Sequence, residues 1–306
     1  MTAARRRGAD SAEMGRRMPA GLPVLAASYR VGAELVRALP ERLRYAPLRP
    51  GGALWFWASR SQRRHALRNY AVALGRDPGD PEVRRVARRA FQNYGRMLAD
   101  FVLIGGLTVD ELRGRMSYDG RDHLDRALGE GRGVIAATPH MGSWDFAGSG
   151  GAAEGYPIAA VAERFPGSLD AAVVKTRQRF GLRVIPLGRS AIRRIEDALR
   201  QNSVVALLCD LPQGPGVQVE LFGRSTTVPA GPATFALRTG ARLMPACQWA
   251  RGGGRYHVHL ETPLEVGEGD DRRSLMQRVM NRFEAFIRER PDQWYAFRPM
   301  FGSEVD

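Results

Sequence analysis

A histidine at the end of a predicted buried strand is the first candidate for chemistry in this chain. Residues 133–138 form an apolar run that predicts a strand, and Pro139 and His140 follow it directly. In open α/β sheets, ligands bind beyond the carboxyl ends of the strands. An imidazole at that place can take a proton from a hydroxyl group near neutral pH. His140 is therefore a candidate general base.

An aspartate follows this histidine at a spacing of five residues. A carboxylate that accepts a hydrogen bond from one ring nitrogen of histidine fixes the tautomer and stabilises the imidazolium, and Asp145 could serve in this way. The spacing alone is weak evidence, because five histidines and 32 acidic residues give about 0.5 such matches by chance. The alternative interpretation is that His140 is a structural residue that caps the following helix.

Other nucleophiles have little support in the sequence. The chain contains no G-x-S-x-G motif, which marks the serine nucleophile of many hydrolases. Its two cysteines, Cys209 and Cys247, lie in apolar runs that predict buried strands, where cysteine acts as a small hydrophobe. Neither belongs to a pair with the spacing of a zinc site, and this cysteine usage suits a reducing cytoplasm.

The elements that must position His140 alternate between β-rich and helical runs beyond residue 105. This alternation predicts an α/β fold in which a mixed central sheet is flanked by helices. The predicted strands are 133–138, 158–162, 184–187, 204–209, 243–249 and 256–261. The predicted helices are 144–154, 169–180, 191–201, 231–239 and 272–289, with a Gly/Pro-rich loop from residue 210 to residue 227.

Residues 20–105 are predicted to be all-helical, including one amphipathic helix over residues 82–104. An apolar group with two tryptophans, at residues 54–57, precedes a cluster of arginines: Arg60, Arg63, Arg64 and Arg68. Two interpretations stay open. The segment is an interfacial helix with its rings at the depth of lipid headgroups and its cations on phosphates, or it is an ordinary helix packed on the core with a solvated arginine face.

The positive charge of the chain is concentrated near its start. The 306 residues carry a net charge of +14, of which residues 1–100 hold +12 and residues 101–306 hold +2. A basic surface can meet nucleic acid, anionic lipid or acidic substrates. We expect no transmembrane helix, because no uncharged apolar run reaches 18 residues. We interpret residues 1–18 as a disordered basic arm and not as an export signal, because Pro19, Gly21 and Pro23 interrupt the apolar stretch that follows.

Several ordered motifs resemble one enzyme family. The hexapeptide His140-Met141-Gly142-Ser143-Trp144-Asp145 resembles the H-x4-D/E signature of lysophospholipid-type acyltransferases, and most closely the branch of the bacterial lipid A late acyltransferases and phosphatidylinositol mannoside acyltransferase. The further matches, in order, are Ala162-Glu163-Arg164, Gly181-Leu182-Arg183-Val184-Ile185-Pro186, Val219-Glu220-Leu221-Phe222-Gly223 with Val228-Pro229-Ala230-Gly231-Pro232-Ala233, and Thr239-Gly240-Ala241 before Met244-Pro245. The resemblance covers roughly residues 25–290, and the H-M-G-x-W-D form is closest to the mannoside enzyme.

The resemblance implies a membrane-associated O-acyltransferase. His140 would deprotonate a hydroxyl of a glycolipid acceptor, Asp145 would orient the histidine, and the alkoxide would attack an acyl thioester directly. The donor would be acyl-CoA or an acyl carrier protein, and no metal or other cofactor is expected. The favoured acceptor is a phosphatidylinositol mannoside. Lipid A and a lysophospholipid remain alternative acceptors for the same chemistry.

The family resemblance and the predicted strand ends give four further candidate substrate-binding residues. Glu163 and Arg164 follow a predicted strand, where the arginine could hold a phosphate, although a surface ion pair is the simpler interpretation. Asp210 ends another predicted strand and faces the same edge. Glu220 stands where the family has an acidic residue, with Gln218 as the other possible register.

The resemblance also assigns a role to the basic helical segment. We expect residues 1–18 as a basic arm, residues 20–105 as the helical interfacial segment and residues 106–306 as the α/β acyltransferase domain, continuous with residues 20–105. The enzyme would be a monomer bound peripherally to anionic lipids on the cytoplasmic side of the cell membrane. The alternative from another class is a basic nucleic-acid-binding protein, which we disfavour because the sequence contains no recognised nucleic-acid-binding motif.

Overall fold

The computed structural model describes residues 23–40, 43, 46, 48–165, 168–213 and 216–302. The predicted basic arm over residues 1–18 lies outside the described residues. Among the described residues, the chain begins with helices: α1 Pro23–Ala38, α2 Leu48–Ala58, α3 Arg60–Leu74, α4 Pro81–Leu103 and the short α5 Val109–Arg113. Helix α4 starts where the sequence predicts, because Pro81 fills its first turn and Asp80 accepts a hydrogen bond from the backbone N–H of Glu82.

Strands and helices alternate after α5. The strands are β1 Met116–Asp119, β2 Val134–Thr138, β3 Ile158–Ala162, β4 Arg183–Pro186, β5 Val204–Leu208, β6 Gly216–Leu221, β7 Arg224–Pro229, β8 Arg242–Gly252 and β9 Arg255–Leu260. The helices are α6 Arg121–Gly129, α7 Trp144–Ala153, α8 Ser168–Arg179, α9 Ala191–Arg200, α10 Gly231–Thr239 and α11 Arg272–Glu289.

The central sheet of the described chain has the strand order β1-β9-β8-β2-β5-β3-β4. Strands β8, β2, β5, β3 and β4 run parallel, whereas β9 is antiparallel to β8 and β1 is parallel to β9. The prediction of an α/β fold with a mixed central sheet flanked by helices is therefore confirmed. Its parallel part places the carboxyl ends of β2, β3 and β5 at one edge.

Strand β2 lies in the middle of the sheet and is covered on both faces. Every residue of β2 is buried, as expected for a central parallel strand. Ile135 and Ala137 face the core that also holds α10 and α11, and Val134 and Ala136 face the core beneath α6. Helix α11 covers its face through apolar residues at helical spacing: Leu275, Met276, Val279, Met280, Phe283, Phe286 and Ile287.

The predicted loop over residues 210–227 is wrong in its second half, which forms the β6–β7 hairpin. Strands β6 and β7 pair antiparallel, and the turn between them consists of Phe222 and Gly223 alone. Both turn residues have positive φ, 53° and 71°, as a tight hairpin turn requires. Phenylalanine is an unusual residue for this conformation, so the turn carried no recognisable sequence signal. Strand β1 and helix α6 were not predicted either.

Helix α2 packs one face on the core, as the second interpretation from the sequence expects, and its interfacial role stays a prediction. Trp55 packs edge-on against Phe91 of α4, with ring centroids 4.8 Å apart, and Phe56 is buried. On the other side of α2, Leu54 is 70% exposed and Trp57 is 56% exposed. One face of this helix is thus core, and the other presents large apolar side chains to solvent. Among the described residues, the structure contains no helix with the length and apolar character needed to span a membrane.

Candidate active site

The register of two parallel strands brings the candidate base next to a carboxylate. In the β2–β5 pair each residue of β2 lies beside the residue 70 positions later, from Val134 with Val204 to Thr138 with Leu208. Continued by two residues beyond the strand ends, the same register places His140 beside Asp210. Neither residue belongs to a regular element, so the sheet edge positions both of them.

The two side chains form a close hydrogen-bonded pair. His140 Nδ1 lies 2.6 Å from Asp210 Oδ1, and the backbone N–H of His140 donates to the same oxygen at 2.9 Å. Asp210 is fully buried, whereas the His140 side chain is 23% exposed. Because an ionised carboxylate only accepts hydrogen bonds, Nδ1 must carry the proton in the neutral ring. Nε2 then keeps its lone pair and can act as a base.

Trp294 completes the hydrogen bonding of the buried carboxylate. Its indole Nε1 donates to Asp210 Oδ2 at 2.8 Å, and its ring is fully buried. A β-bridge joins Met141 to Trp294, and the backbone N–H of Tyr295 donates to the carbonyl of His140 at 2.9 Å. The segment around Trp294 therefore holds both the histidine loop and its aspartate. The sequence analysis did not find Trp294, because no spacing relates it to His140.

A glycine allows the histidine loop to approach the sheet. Gly142 has a φ of 60°, and a Cβ at this position would stand 2.2 Å from the carbonyl oxygen of Gln248. Its backbone N–H donates to the carbonyl of Gln293 at 3.0 Å, and the Gln248 side chain donates to the carbonyl of Met141 at 2.7 Å. The peptide bond between Met141 and Gly142 is thus anchored through both its carbonyl and its N–H, which holds the backbone directly after His140.

The predicted pairing of Asp145 with His140 is corrected by the structure. Asp145 lies in the first turn of α7, is 5% exposed, and accepts from Arg177 of α8 at 2.7 Å. The five-residue spacing does not fix a contact, because His140 lies in a loop and α7 begins only at Trp144. Within the described chain the carboxylate on the His140 ring is that of Asp210. A catalytic role for Asp145 stays a prediction.

The Asp145–Arg177 pair ties α7 to α8 inside the protein, and we expect it to govern stability. Changing Asp145 to Asn leaves the guanidinium of Arg177, which is itself 7% exposed, without its counter-charge. Breaking a buried ion pair costs about 3–5 kcal/mol. Urea unfolding of Asp145→Asn should show a loss of about 3 kcal/mol. Asp197→Asn, which breaks an exposed pair with Arg200, serves as the matched control and should cost less than about 1 kcal/mol. An equal loss in both variants would contradict this role.

Of the other predicted site residues, Glu163 and Arg164 lie at the sheet edge that holds His140, and Glu220 lies elsewhere. Glu163 and Arg164 follow β3, are exposed, and lie at the same sheet edge as His140; Gln213 donates to Glu163 at 3.1 Å. Glu220 is exposed on β6, where its backbone exchanges hydrogen bonds with Gln277 of α11. The structure therefore brings Asp210 to the histidine and places Glu163 and Arg164 at the edge around it. It shows no contact between Glu220 and this group.

An apolar cavity lies between the sheet and α7 on the Val134 face. It is lined by small and apolar side chains, among them Ala136, Thr138, Ala147, Gly148, Val204 and Ala206. Thr138, the last residue of β2, lies two residues before His140. The remaining wall of the cavity includes Tyr118, Arg121 and Tyr156, where the guanidinium of Arg121 stands over the Tyr118 ring at 5.0 Å. The cavity is therefore a small apolar space that is bounded on one side by polar groups.

Neither cysteine is prepared for nucleophilic attack. Cys209 is fully buried, and burial together with the neighbouring charge of Asp210 raises the pKa of its thiol well above the usual value. Burial likewise raises the pKa of Cys247. With the thiols held neutral, the group at this edge that can activate a hydroxyl is the imidazole of His140. The site is therefore suited to general-base transfer without a covalent enzyme intermediate.

Comparisons with known proteins point to one enzyme family. Residues 25–303 match the family model described as bacterial lipid A biosynthesis acyltransferase. The chain is 32% identical over 297 residues to the phosphatidylinositol mannoside acyltransferase of Mycolicibacterium smegmatis, covering 94% of this chain and 95% of that protein. It is 31% identical over 289 residues to the phosphatidylinositol mannoside acyltransferase of Mycobacterium tuberculosis, covering 91% of this chain and 89% of that protein.

Proposed function

Because the chain belongs to the bacterial lipid A biosynthesis acyltransferase family, we propose that it transfers a fatty acyl group from a thioester to a hydroxyl of a phosphatidylinositol mannoside. The observation that carries this proposal is the His140–Asp210 pair, buried on the carboxylate side and open on the Nε2 side. The acceptor is proposed from the relatives, whose matches extend over nine-tenths of this chain.

The proposed reaction uses His140 twice. Nε2 takes the proton of the acceptor hydroxyl as its oxygen attacks the carbonyl carbon of the thioester, and Asp210 stabilises the imidazolium that forms. When the tetrahedral intermediate collapses, the C–S bond breaks and the imidazolium returns the proton to the departing thiolate. The products are an ester and a free thiol. The N–H groups in the first turn of α7 begin beside His140 and are suited to hold the developing oxyanion.

The cavity on the Val134 face is small, with a volume of about 80 Å³ and an apolar lining that includes Thr138. It supports an acyl donor only in that a few methylenes of the chain could be buried there. Burying each methylene contributes about 0.8 kcal/mol. Acyl-CoA and an acyl carrier protein deliver the same thioester, and either is a candidate donor. The chemistry proposed for the chain's own residues requires no metal or other cofactor.

We place the enzyme at the surface of the membrane that holds its acceptor. Helices α1 and α2 both pack on α4, and their outer sides expose large apolar side chains, such as Leu35 at 64% and Leu54 at 70%. Next to them, Arg63 donates to the carbonyl of Trp57 at 2.7 Å, with its guanidinium 5.5 Å from that ring. Apolar side chains beside arginines suit the interface of an anionic leaflet, and the negative surface potential of the cytoplasmic leaflet favours that side.

This arrangement predicts a specific loss of vesicle binding. We expect the double variant Leu54→Glu/Trp57→Glu to co-sediment at least about tenfold more weakly with vesicles containing phosphatidylinositol, because two exposed apolar side chains that would enter the membrane surface are replaced by groups with the same charge sign as the lipid. Leu187→Glu/Ile192→Glu changes an apolar pair outside these helices that is 49% and 53% exposed and serves as the control. Binding that is unaffected in the first variant, or reduced equally in both, would contradict the proposed membrane face.

The function itself is tested by product analysis. The purified chain is given palmitoyl-CoA with a phosphatidylinositol mannoside, a lipid A precursor or a lysophospholipid, and the products are identified by mass spectrometry. We expect acylation of the mannoside at a rate well above that of the other two acceptors. Acylation of lipid A or of the lysophospholipid alone would replace the acceptor and leave the chemistry intact. Absence of transfer to all three acceptors, both from palmitoyl-CoA and from a palmitoyl acyl carrier protein, would contradict the proposed function.

A further inference from the structure

A second and larger cavity lies beside the β6–β7 turn. Its volume is about 630 Å³, and it is formed by α3, the hairpin turn and the segment after Trp294. We call it the hairpin cavity and define it by its lining residues, His65, Arg68, Asn69, Ala71, Val72, Gly75, Arg76, Pro78, Phe222, Arg224, Pro299, Phe301 and Gly302. None of these residues was singled out by the sequence motif around His140, and none has a place in the reaction above.

The hairpin cavity is strongly basic. Arg68, Arg76 and Arg224 line it and are exposed, and within the described part of the chain no carboxylate does so. Arg76 is paired with Asp80 at 3.0 Å, whereas Arg224 makes no ion pair with a described residue. The carboxyl end of α3 also faces this region and contributes about half a negative charge. The charge of Arg76 is offset by Asp80, but the guanidinium of Arg224 outweighs the partial charge of the helix end, so the cavity is electrostatically suited to an anion.

One wall of the hairpin cavity is aromatic and is held in a strained conformation. Phe222 has a φ of 53°, which costs energy for any residue with a side chain and tends to persist at functional positions. The guanidinium of Arg288 stands 5.3 Å from its ring, and the backbone N–H of Phe222 donates to Glu284. These contacts hold Phe222 in place, and its ring lines the cavity.

The same ring connects the hairpin cavity to the dyad. The rings of Phe222 and Trp294 have centroids 6.0 Å apart, and Trp294 donates to Asp210, the partner of His140. A single indole ring thus separates the cavity wall from the catalytic carboxylate. The cavity therefore lies on the Asp210 side of the His140–Asp210 pair, beyond the ring of Trp294.

We propose that the hairpin cavity binds a phosphate ester that belongs to a substrate. Guanidinium groups bind phosphate through paired, charge-assisted hydrogen bonds, and the aromatic wall suits a ligand with a flat or apolar portion next to its phosphate. The proposal rests on the proposed function, in which a coenzyme A donor and a phosphoinositide acceptor both carry such groups. The shared chemistry is the phosphate ester, and the two sources are distinguished by experiment.

The test is a direct binding measurement on the full chain. Isothermal titration calorimetry is performed with adenosine 3′,5′-bisphosphate, which represents the donor, and with glycerophosphoinositol, which represents the acceptor. We expect Arg224→Ala to weaken the binding of one of these compounds about tenfold and Arg224→Lys to restore part of it, because lysine keeps the charge and loses the paired geometry. Arg126→Ala on α6, where the side chain is 69% exposed, is the matched control and should bind as the unaltered protein does.

Each outcome decides the proposal. Arg224-dependent binding of the bisphosphate assigns the cavity to the donor, and Arg224-dependent binding of glycerophosphoinositol assigns it to the acceptor. Binding of neither compound, or affinities that fall equally in Arg224→Ala and Arg126→Ala, overturns the site. Because the measurement requires no turnover, failure of the acyl-transfer assay with Arg224-dependent binding intact would overturn the proposed function and not the site. Transfer activity without Arg224-dependent binding would overturn the site and leave the proposed function intact.

Discussion

Replacing His140 with alanine is expected to lower kcat for acyl transfer by about 10³-fold, with little change in the free energy of unfolding. The ring is the group at the sheet edge that can take the hydroxyl proton, and general-base catalysis contributes about 10²–10⁴-fold. Positioning of donor and acceptor is unaffected by the change, so residual transfer should persist. The measurement is steady-state product formation at saturating donor and acceptor, together with the melting temperature of each variant.

The matched control is a histidine that is hydrogen-bonded to the backbone and is not part of the proposed catalytic pair. His123 on α6 has its Nδ1 3.1 Å from the carbonyl oxygen of Leu260, and His123→Ala should keep wild-type kcat. A rise in KM with unchanged kcat in His140→Ala would mean that this residue binds substrate and does not act as the base. Wild-type turnover in His140→Ala would remove the proposed mechanism altogether.

Changing Asp210 to Asn is expected to lower kcat by about 10²–10⁴-fold, a loss comparable to that of His140→Ala. The amide loses the charge that stabilises the imidazolium. It can also donate to Nδ1, which would place the ring proton on Nε2 and leave no lone pair for the acceptor hydroxyl. Trp294→Phe removes one hydrogen bond to the carboxylate and should reduce kcat by a smaller factor. All variants are compared at a temperature at which circular dichroism shows them to be folded.

Asp145→Asn is the decisive comparison for this prediction, because Asp145 is the carboxylate that the motif spacing favours. If the structure assigns the roles correctly, folded Asp145→Asn keeps most of its kcat and loses stability, whereas Asp210→Asn loses kcat. The opposite result, in which Asp145→Asn is folded and inactive and Asp210→Asn is active, would restore the pairing that was expected from the sequence.

Much of the fold was predictable from local patterns. Strand β2 begins one residue after its predicted start and ends at its predicted end, and helix α11 occupies the predicted residues 272–289. Both were predictable because continuous apolar runs and amphipathic periodicity are local properties of a chain. The hairpin was missed because its turn places a phenylalanine at positive φ, against the preference on which turn prediction depends. Strand β1 is four residues long and only partly buried, so it lacks a hydrophobic pattern.

The sequence by itself determined the family and the candidate base. His140 follows a buried strand, and its motif and the ordered motifs after it identify the family, since all of these lie within short stretches of chain. Only the tertiary structure decided which carboxylate contacts His140. Asp210 is 70 residues away and reaches His140 through the register of two parallel strands, and Trp294 reaches Asp210 across 84 residues. Asp145 is close to His140 in sequence, but it lies in the first turn of α7 and binds Arg177. A short spacing in sequence fixes a contact only when both residues belong to one regular element. Here a loop separates His140 from the helix that holds Asp145, so long-range packing decided which carboxylate meets the histidine.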